Sequence, residues 1–259
     1  MTQYQKLTQL QHLKMRTPMY TGSITPYEKV TPVWDGEKMV QKTVQTNDGL
    51  MKLFYEAIDN AVDNTLRKPA TKHIRVTMDN HTFKIENDGQ NIPVKMQDGN
   101  WIPSFIFSEF LSGSNFNEER EGVGQNGLGI KLAAGLSDHF KVTVLDPVLG
   151  KKFVQSWENG LTKASNPKIT TKKSTHKNMT CAVEFSPTLS HFGEQSLEPF
   201  VEQVHTRLVQ VAATCNVKLT FNGQMIKTNN FKKYIASFGF DKFMYDTVSS
   251  TFEFGVALS

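Results

Sequence analysis

The stretch Asn47–Asn64, NDGLMKLFYEAIDNAVDN, is patterned as one long amphipathic helix. Leu50, Leu53, Phe54, Ala57, Ile58, Ala61 and Val62 recur at helical spacing and form an apolar stripe. Asn47 or Asp48 caps its start, and Pro69 forbids continuation beyond Lys68. Glu56, Asn60 and Asn64 fall one turn apart and share a side of the helix beside that stripe. Asparagine is a mediocre helix former, because its amide competes for backbone hydrogen bonds. Two of them one turn apart, below a carboxylate, point to a purpose. A neutral amide oxygen ligates Mg²⁺ without adding negative charge beside a polyphosphate. A glutamate one turn away orients or deprotonates a water for attack on phosphorus. On this helix alone, a solvated face of Glu, Asp and Asn reads equally well.

A second stretch narrows the choice. Gly122–Gly129, GVGQNGLG, runs directly into the helical pattern IKLAAGLS. Glycines ahead of a helix N-terminus make a nest of backbone amides for phosphate. Three familiar phosphate loops do not fit. Gly122, Gly124 and Gly127 match G-x-G-x-x-G in letters, but the preceding SNFNEERE is no strand, as a dinucleotide fold requires. The P-loop ends in G-K-[ST], whereas Gly129 is followed by Ile130 and Lys131 by Leu132. Neither H-R-D nor D-F-G, the protein-kinase signatures, occurs. The polar Ser112–Glu121 reads as a lid.

Around these stretches the chain alternates strands and helices. His73–Asp79 and Thr82–Glu86 form a hairpin, ending in Asn87-Asp88-Gly89. Asp88 there sits on a rigid support and can accept from an exocyclic amine such as that of adenine; alone, Asp-Gly is also an ordinary turn. Lys6–Met15 predicts a short helix with Leu7, Leu10, Leu13 and Met15 inward, stopped by Pro18. Residues 21–46 read as irregular, punctuated by Gly22, Pro26, Pro32 and Gly36. Pro103–Leu111 predicts a helix, Phe140–Leu145 with Lys152–Trp157 a hairpin, Ser165–Asn178 a basic solvated loop, and Met179–Phe185 a strand. Ser196–Thr214 predicts a helix with Phe200, Val201, Val204, Leu208 and Val211 inward. Val217–Phe221 and Gln224–Ile226 flank an Asn222-Gly223 turn, and Thr251–Leu258 is a last strand. Its abrupt end predicts a piece of a longer protein.

The bulk numbers fit an ordinary globular protein: 259 residues, 38% hydrophobic and 21% charged, enough for one large or two smaller cores. No apolar run approaches the roughly 20 residues that span a bilayer, and the polar N-terminus is no secretory signal. Two distant cysteines, Cys181 and Cys215, fit a reducing compartment and no cysteine metal site. The predicted location is cytoplasmic or nuclear, with no membrane partner. A net charge of +4 is compatible with nucleic acid and weak evidence for it.

Taken in order, Glu56-x3-Asn60-x3-Asn64, Asn87-Asp88-Gly89 and Gly122–Lys131 resemble the GHKL ATPases. Two further stretches, YQKLTQLQHLKMRTPMYTGS from Tyr4 and SGSNFNEEREGVGQNGLGIK from Ser112, are similar to type IIA DNA topoisomerases of the eukaryotic, viral or phage kind. The resemblance implies an α+β chain: a two-layer α/β sandwich (the Bergerat GHKL ATPase fold) over 1–195, then the start of a transducer domain (ribosomal S5 domain 2-like) over 196–259. It implies ATP and Mg²⁺ as cofactors. Glu56 would be the general base, Asn60 the metal ligand and Asn64 a phosphate contact. Asp88 would recognise adenine, and Gly113, Ser114 and Asn115 would lie near ribose and phosphates. Gly124, Gln125, Asn126, Gly127, Leu128, Gly129, Ile130 and Lys131 would cradle the triphosphate. Tyr4 would reach the partner subunit's nucleotide in a homodimer formed on ATP binding. DNA would be engaged through the full-length enzyme and its remaining domains or subunits. A gyrase B or MutL type of GHKL ATPase, or a nucleotide-independent DNA-binding or scaffold module, are the alternatives. The chain departs from the family twice. Asn91 stands where the second glycine after Asp-Gly is usual, and no Gln-x-Lys loop is present to touch the γ-phosphate. The expectation is ATP binding with weak or no turnover by this chain alone.

Overall fold

The computed structural model describes residues 6–67, 73–110, 128–171, 180–249 and 252–257. Two short helices open it, α1 (Gln9–Met15) and α2 (Thr17–Thr21), followed by β1 (Tyr27–Trp34), β2 (Met39–Thr46) and the long α3 (Asp48–Leu66). Next come β3 (His73–Met78), β4 (Phe83–Asn87), the two-residue pair β5 (Met96–Gln97) and β6 (Asn100–Trp101), then α4 (Ile102–Ser108) and α5 (Gly129–Gly135). The middle holds β7 (Ser137–Asp146), β8 (Lys151–Glu158), β9 (Lys163–Ala164), β10 (Lys168–Thr171) and β11 (Cys181–Pro187). Last are α6 (Val201–Thr214), β12 (Lys218–Phe221), β13 (Gln224–Met225), α7 (Phe231–Ala236), β14 (Phe243–Ser249) and β15 (Phe252–Ala257).

The main sheet runs β10-β8-β7-β11-β4-β3-β12-β13, with β9 added on β8. Its neighbours are antiparallel except β12, which lies parallel to β3 after the α6 crossover. Against the sheet pack α3 on β3 and β4, α5 on β7 and β11, and α6 on β12. This is the expected two-layer α/β sandwich. The rings of Phe54 on α3, Phe83 on β4 and Phe185 on β11 stack through the core at 5.2 and 5.3 Å. All three are fully buried, each contributing about 1.5–3 kcal/mol of burial. Asn47 fixes where α3 begins. Its Oδ1 accepts from the Leu50 amide at 3.0 Å, while its Nδ2 donates to Ile24 O and Phe192 O. A cap of this kind is worth about 1 kcal/mol.

Several local expectations are corrected. Residues 21–46 are not irregular: β1 and β2 pair antiparallel over their whole length, Tyr27 opposite Thr46. Pro32 is tolerated because this is a two-stranded sheet. The Trp34 amide two residues on points away from β2 and donates to Thr206 Oγ1 at 2.7 Å, so Pro32 withholds no ladder donor. Pro18 does not stop α1, which ends at its Arg16 cap; it sits in the first turn of α2, where a missing amide costs nothing. Met15 and Val201, expected inward, are exposed, whereas Leu13, Val204, Leu208 and Val211 are buried. Part of the expected basic loop is strand β10, because half-buried Ile169 joins the core. Residues on both sides of 195 share one sheet and one core: β12 pairs with β3, and buried Val204 and Leu208 belong to the same cluster as Phe54.

Candidate functional site

Glu56 faces two groups. Lys52, one turn earlier on α3, places Nζ 2.6 Å from Glu56 Oε1. Its other oxygen, Oε2, lies against Gly129, the first residue of α5: a Cβ there would overlap Oε2 and come 3.5 Å from Asn60 Nδ2. Glu56, Asn60 and Gly129 thus converge where α5 packs across α3. Asn60 is exposed, and its Nδ2 is committed to Glu56 O at 2.6 Å. That hydrogen bond leaves the amide oxygen as the acceptor to be used. Leu128 caps α5 without a side-chain hydrogen bond, so the first-turn amides carry no such acceptor. Ile130 and Lys131 follow, buried at 6% and 3% exposure. Burial pushes the Lys131 ammonium down to about 8. Burial of this kind disfavours the charged form of a lysine.

The second half of the site is the turn after β4. Asn64 Nδ2 donates to Asn87 Oδ1 at 2.8 Å, and the Gly89 amide donates to the same oxygen at 3.1 Å. The Thr180 amide donates to Asn87 O at 2.8 Å, and its hydroxyl reaches Gly89 O at 3.2 Å. Asp88 Oδ1 accepts from the His73 amide at 2.8 Å, which fixes the carboxylate at the sheet end. Asn64 is therefore tied to the Asp88 turn through its nitrogen.

Gly89 packs directly against the backbone of α3. A Cβ there would collide with the Asn64 carbonyl and sit 2.7 Å from the Thr65 nitrogen. Those are backbone atoms of a central helix and do not yield. Gly89→Ala is expected to lower stability by at least about 1–3 kcal/mol, several degrees of melting temperature, as thermal unfolding will show.

Of the residues expected at the site, Glu56, Asn60, Asn64, Asp88, Leu128, Gly129, Ile130 and Lys131 are described, on α3, the β4 turn and α5. Gly113, Ser114, Asn115, Gly124, Gln125, Asn126, Gly127 and Tyr4 lie outside the described residues. Three contributors were missed. Lys52 was legible, since Lys and Glu at i, i+4 attract. Thr180, remote in sequence from the turn it holds, and Asp146, which accepts from Asn91 Nδ2 at 3.0 Å and the Val94 amide at 2.8 Å, carry no local signal. Among the described residues no group of three or more His, Cys, Asp or Glu side chains is placed to hold a metal. Asn60 Oδ1, a neutral amide oxygen, is the ligand these residues would offer a magnesium brought by a nucleotide, whose phosphates and waters would complete its shell.

The comparisons agree with this geometry. Residues 45–185 match the family of histidine kinase-, DNA gyrase B- and HSP90-like ATPases. The chain is 36% identical over 242 residues to DNA topoisomerase 2 of Candida glabrata, covering 90% of this chain and 17% of that protein. It is 34% identical over 248 residues to the DNA topoisomerase 2 of Acanthamoeba polyphaga mimivirus, covering 90% and 19%. The chain thus spans about a sixth of the length of these relatives. The crystal structure of the ATPase region of Saccharomyces cerevisiae topoisomerase II superposes with a TM-score of 0.94 at 31% identity, over 99% of this chain and 71% of that one. The chain belongs to the histidine kinase-, DNA gyrase B- and HSP90-like ATPases and, among them, to the ATPase regions of type II DNA topoisomerases.

Proposed function

We propose that this chain binds Mg²⁺·ATP between α3, the β4 turn and α5, and hydrolyses it as the ATPase part of a type II DNA topoisomerase. The observation that carries the reading is the meeting of Glu56, Asn60 and Gly129, with buried Lys131 two residues on. Asp88 receives the adenine amine at the sheet end. Lys131 and the α5 amides face the phosphates, and Asn64 stands between these and the Asp88 turn. Asn60 supplies an oxygen to Mg²⁺, which when bound neutralises phosphate charge. Glu56, held by Lys52, takes the proton of the attacking water. Gly113, Ser114, Asn115, the residues from Gly124 to Gly127, and Tyr4 keep the roles that the resemblance implies, Tyr4 toward a partner subunit's nucleotide.

ATP-driven homodimerisation, closing a gate on DNA within a longer intracellular enzyme, belongs to the same proposal. So does the absence of a membrane role; no helix among the described residues is long and apolar enough to cross a membrane. The place of β12 and β13 in the main sheet supports a nucleotide-binding unit that extends past residue 195 to about Ile226. The transducer then begins with α7.

A thermal melt with a non-hydrolysable ATP analogue, with and without Mg²⁺, tests the reading. At about 100 times the dissociation constant, binding stabilises by roughly 2.7 kcal/mol. The shift is expected to need Mg²⁺ and to shrink in Asn60→Ala. An unchanged Mg²⁺-dependent shift in Asn60→Ala overturns the metal assignment, and no shift at millimolar nucleotide overturns the ATP reading.

A further inference from the structure

Asn91 stands where the resembled family carries glycine, and the structure gives its side chain a defined place. Nδ2 donates to Asp146 Oδ1 at 3.0 Å. Asp146 is fully buried at the end of β7 and accepts from the amides of Val94 at 2.8 Å and of Val148 and Leu149 at 3.0 Å. The loop from Asp88 begins at the end of β4, where the Gln90 amide donates to Asn64 O at 2.9 Å. Strand β11 lies between β4 and β7, and its approach, Thr180, supports Gly89 from below. Asn91 therefore bridges from β4 to β7 across the sheet end that presents Asp88.

The other half of the amide is unpartnered. Asn91 Oδ1 is buried and has no hydrogen-bond partner among the described residues. The reversed amide is excluded, because it would set a carbonyl oxygen against the Asp146 carboxylate. A buried carbonyl acceptor without a donor is costly, and glycine at this position would avoid that cost. The arrangement fits a donor that arrives with the ligand.

We propose that Asn91 is a base-selecting residue of the nucleotide site: anchored on Asp146, it offers Oδ1 to the exocyclic amine of the bound purine, directly or through one water. It adds a second acceptor to that of Asp88 and favours a 6-amino over a 6-oxo purine. The proposal rests on the ATP reading above.

The test is equilibrium binding of non-hydrolysable analogues of ATP and of inosine triphosphate, whose base carries oxygen in place of the amine. Wild-type chain, Asn91→Gly and Asn91→Ala are compared, each checked for folding by its melt. The expected result is a preference for the adenine nucleotide that falls about tenfold in both variants, mainly through weaker adenine binding. An unchanged preference, or equal weakening of both nucleotides, overturns the assignment and leaves Asn91 a structural tether of Asp146. Failure of the wild-type chain to bind either nucleotide overturns the ATP reading instead.

Discussion

Glu56→Gln is expected to cut ATP turnover by about 10²–10⁴-fold, the usual worth of a positioned general base, while nucleotide affinity holds or tightens. The two outcomes separate because the exchange keeps the shape of the side chain. It removes the proton acceptor and one negative charge facing the phosphates. Folding is expected to survive. The Lys52–Glu56 pair that is lost has its lysine 42% exposed, and such pairs contribute about 0–1 kcal/mol. The measurement is single-turnover phosphate release with protein in excess over nucleotide, which detects slow hydrolysis by this chain alone. Hydrolysis at the wild-type rate would remove Glu56 from its role. The same assay on Gly129→Ala isolates the position of the carboxylate, since a methyl group there displaces Oε2 and leaves the base chemically intact.

Lys131→Met is expected to act oppositely on the ligand-free and the nucleotide-bound chain. Burial lowers the Lys131 ammonium from 10.5 to about 8, so the unfolded chain holds that proton more tightly than the folded one. The resulting penalty, about 3 kcal/mol by linkage, is present in full below pH 8. It fades as pH rises from 8 to 10.5, where both states become neutral. Methionine fills similar volume without charge. The variant is therefore expected to be more stable than wild type by about 2–3 kcal/mol at pH 7, with the gain vanishing near pH 10.5. If Lys131 meets the phosphates as proposed, the stabilisation conferred by an ATP analogue should be largely lost with its charge. Denaturant unfolding at pH 7 and pH 10.5, with and without analogue, reads both effects. A variant less stable at pH 7 and still fully stabilised by nucleotide would place Lys131 in the structure and outside the site.

The parts of this fold legible in the sequence are those whose causes are local. Helix α3 shows its cap at Asn47, its stripe from Leu50 to Val62 and its polar row Glu56, Asn60, Asn64 within one window, and the structure has it from Asp48 to Leu66. The Asn222-Gly223 turn is likewise local: both residues take positive φ, 46° and 82°, as a tight hairpin requires. Strands β1 and β2 were illegible because Pro26, Pro32 and Gly36 punctuate them. Whether a proline harms a strand depends on which way its nitrogen faces, here settled by Thr206 in a distant helix. The extent of the sheet past residue 195 was hidden for the same reason, since only the β12–β3 pairing reveals it. In the candidate site, the residues expected to carry chemistry were named through the family resemblance, and Glu56, Asn60 and Gly129 do come together. The network that holds them could not be named that way: Asn64 reaches Asn87, Thr180 reaches Gly89, and Asn91 reaches Asp146.

A crystal structure of this chain with Mg²⁺ and a non-hydrolysable ATP analogue tests the central claim most directly. The account predicts the adenine amine on Asp88, the metal on Asn60 Oδ1, and the γ-phosphate within reach of Glu56 and Lys131. A nucleotide bound elsewhere, or a metal held without Asn60, would contradict it.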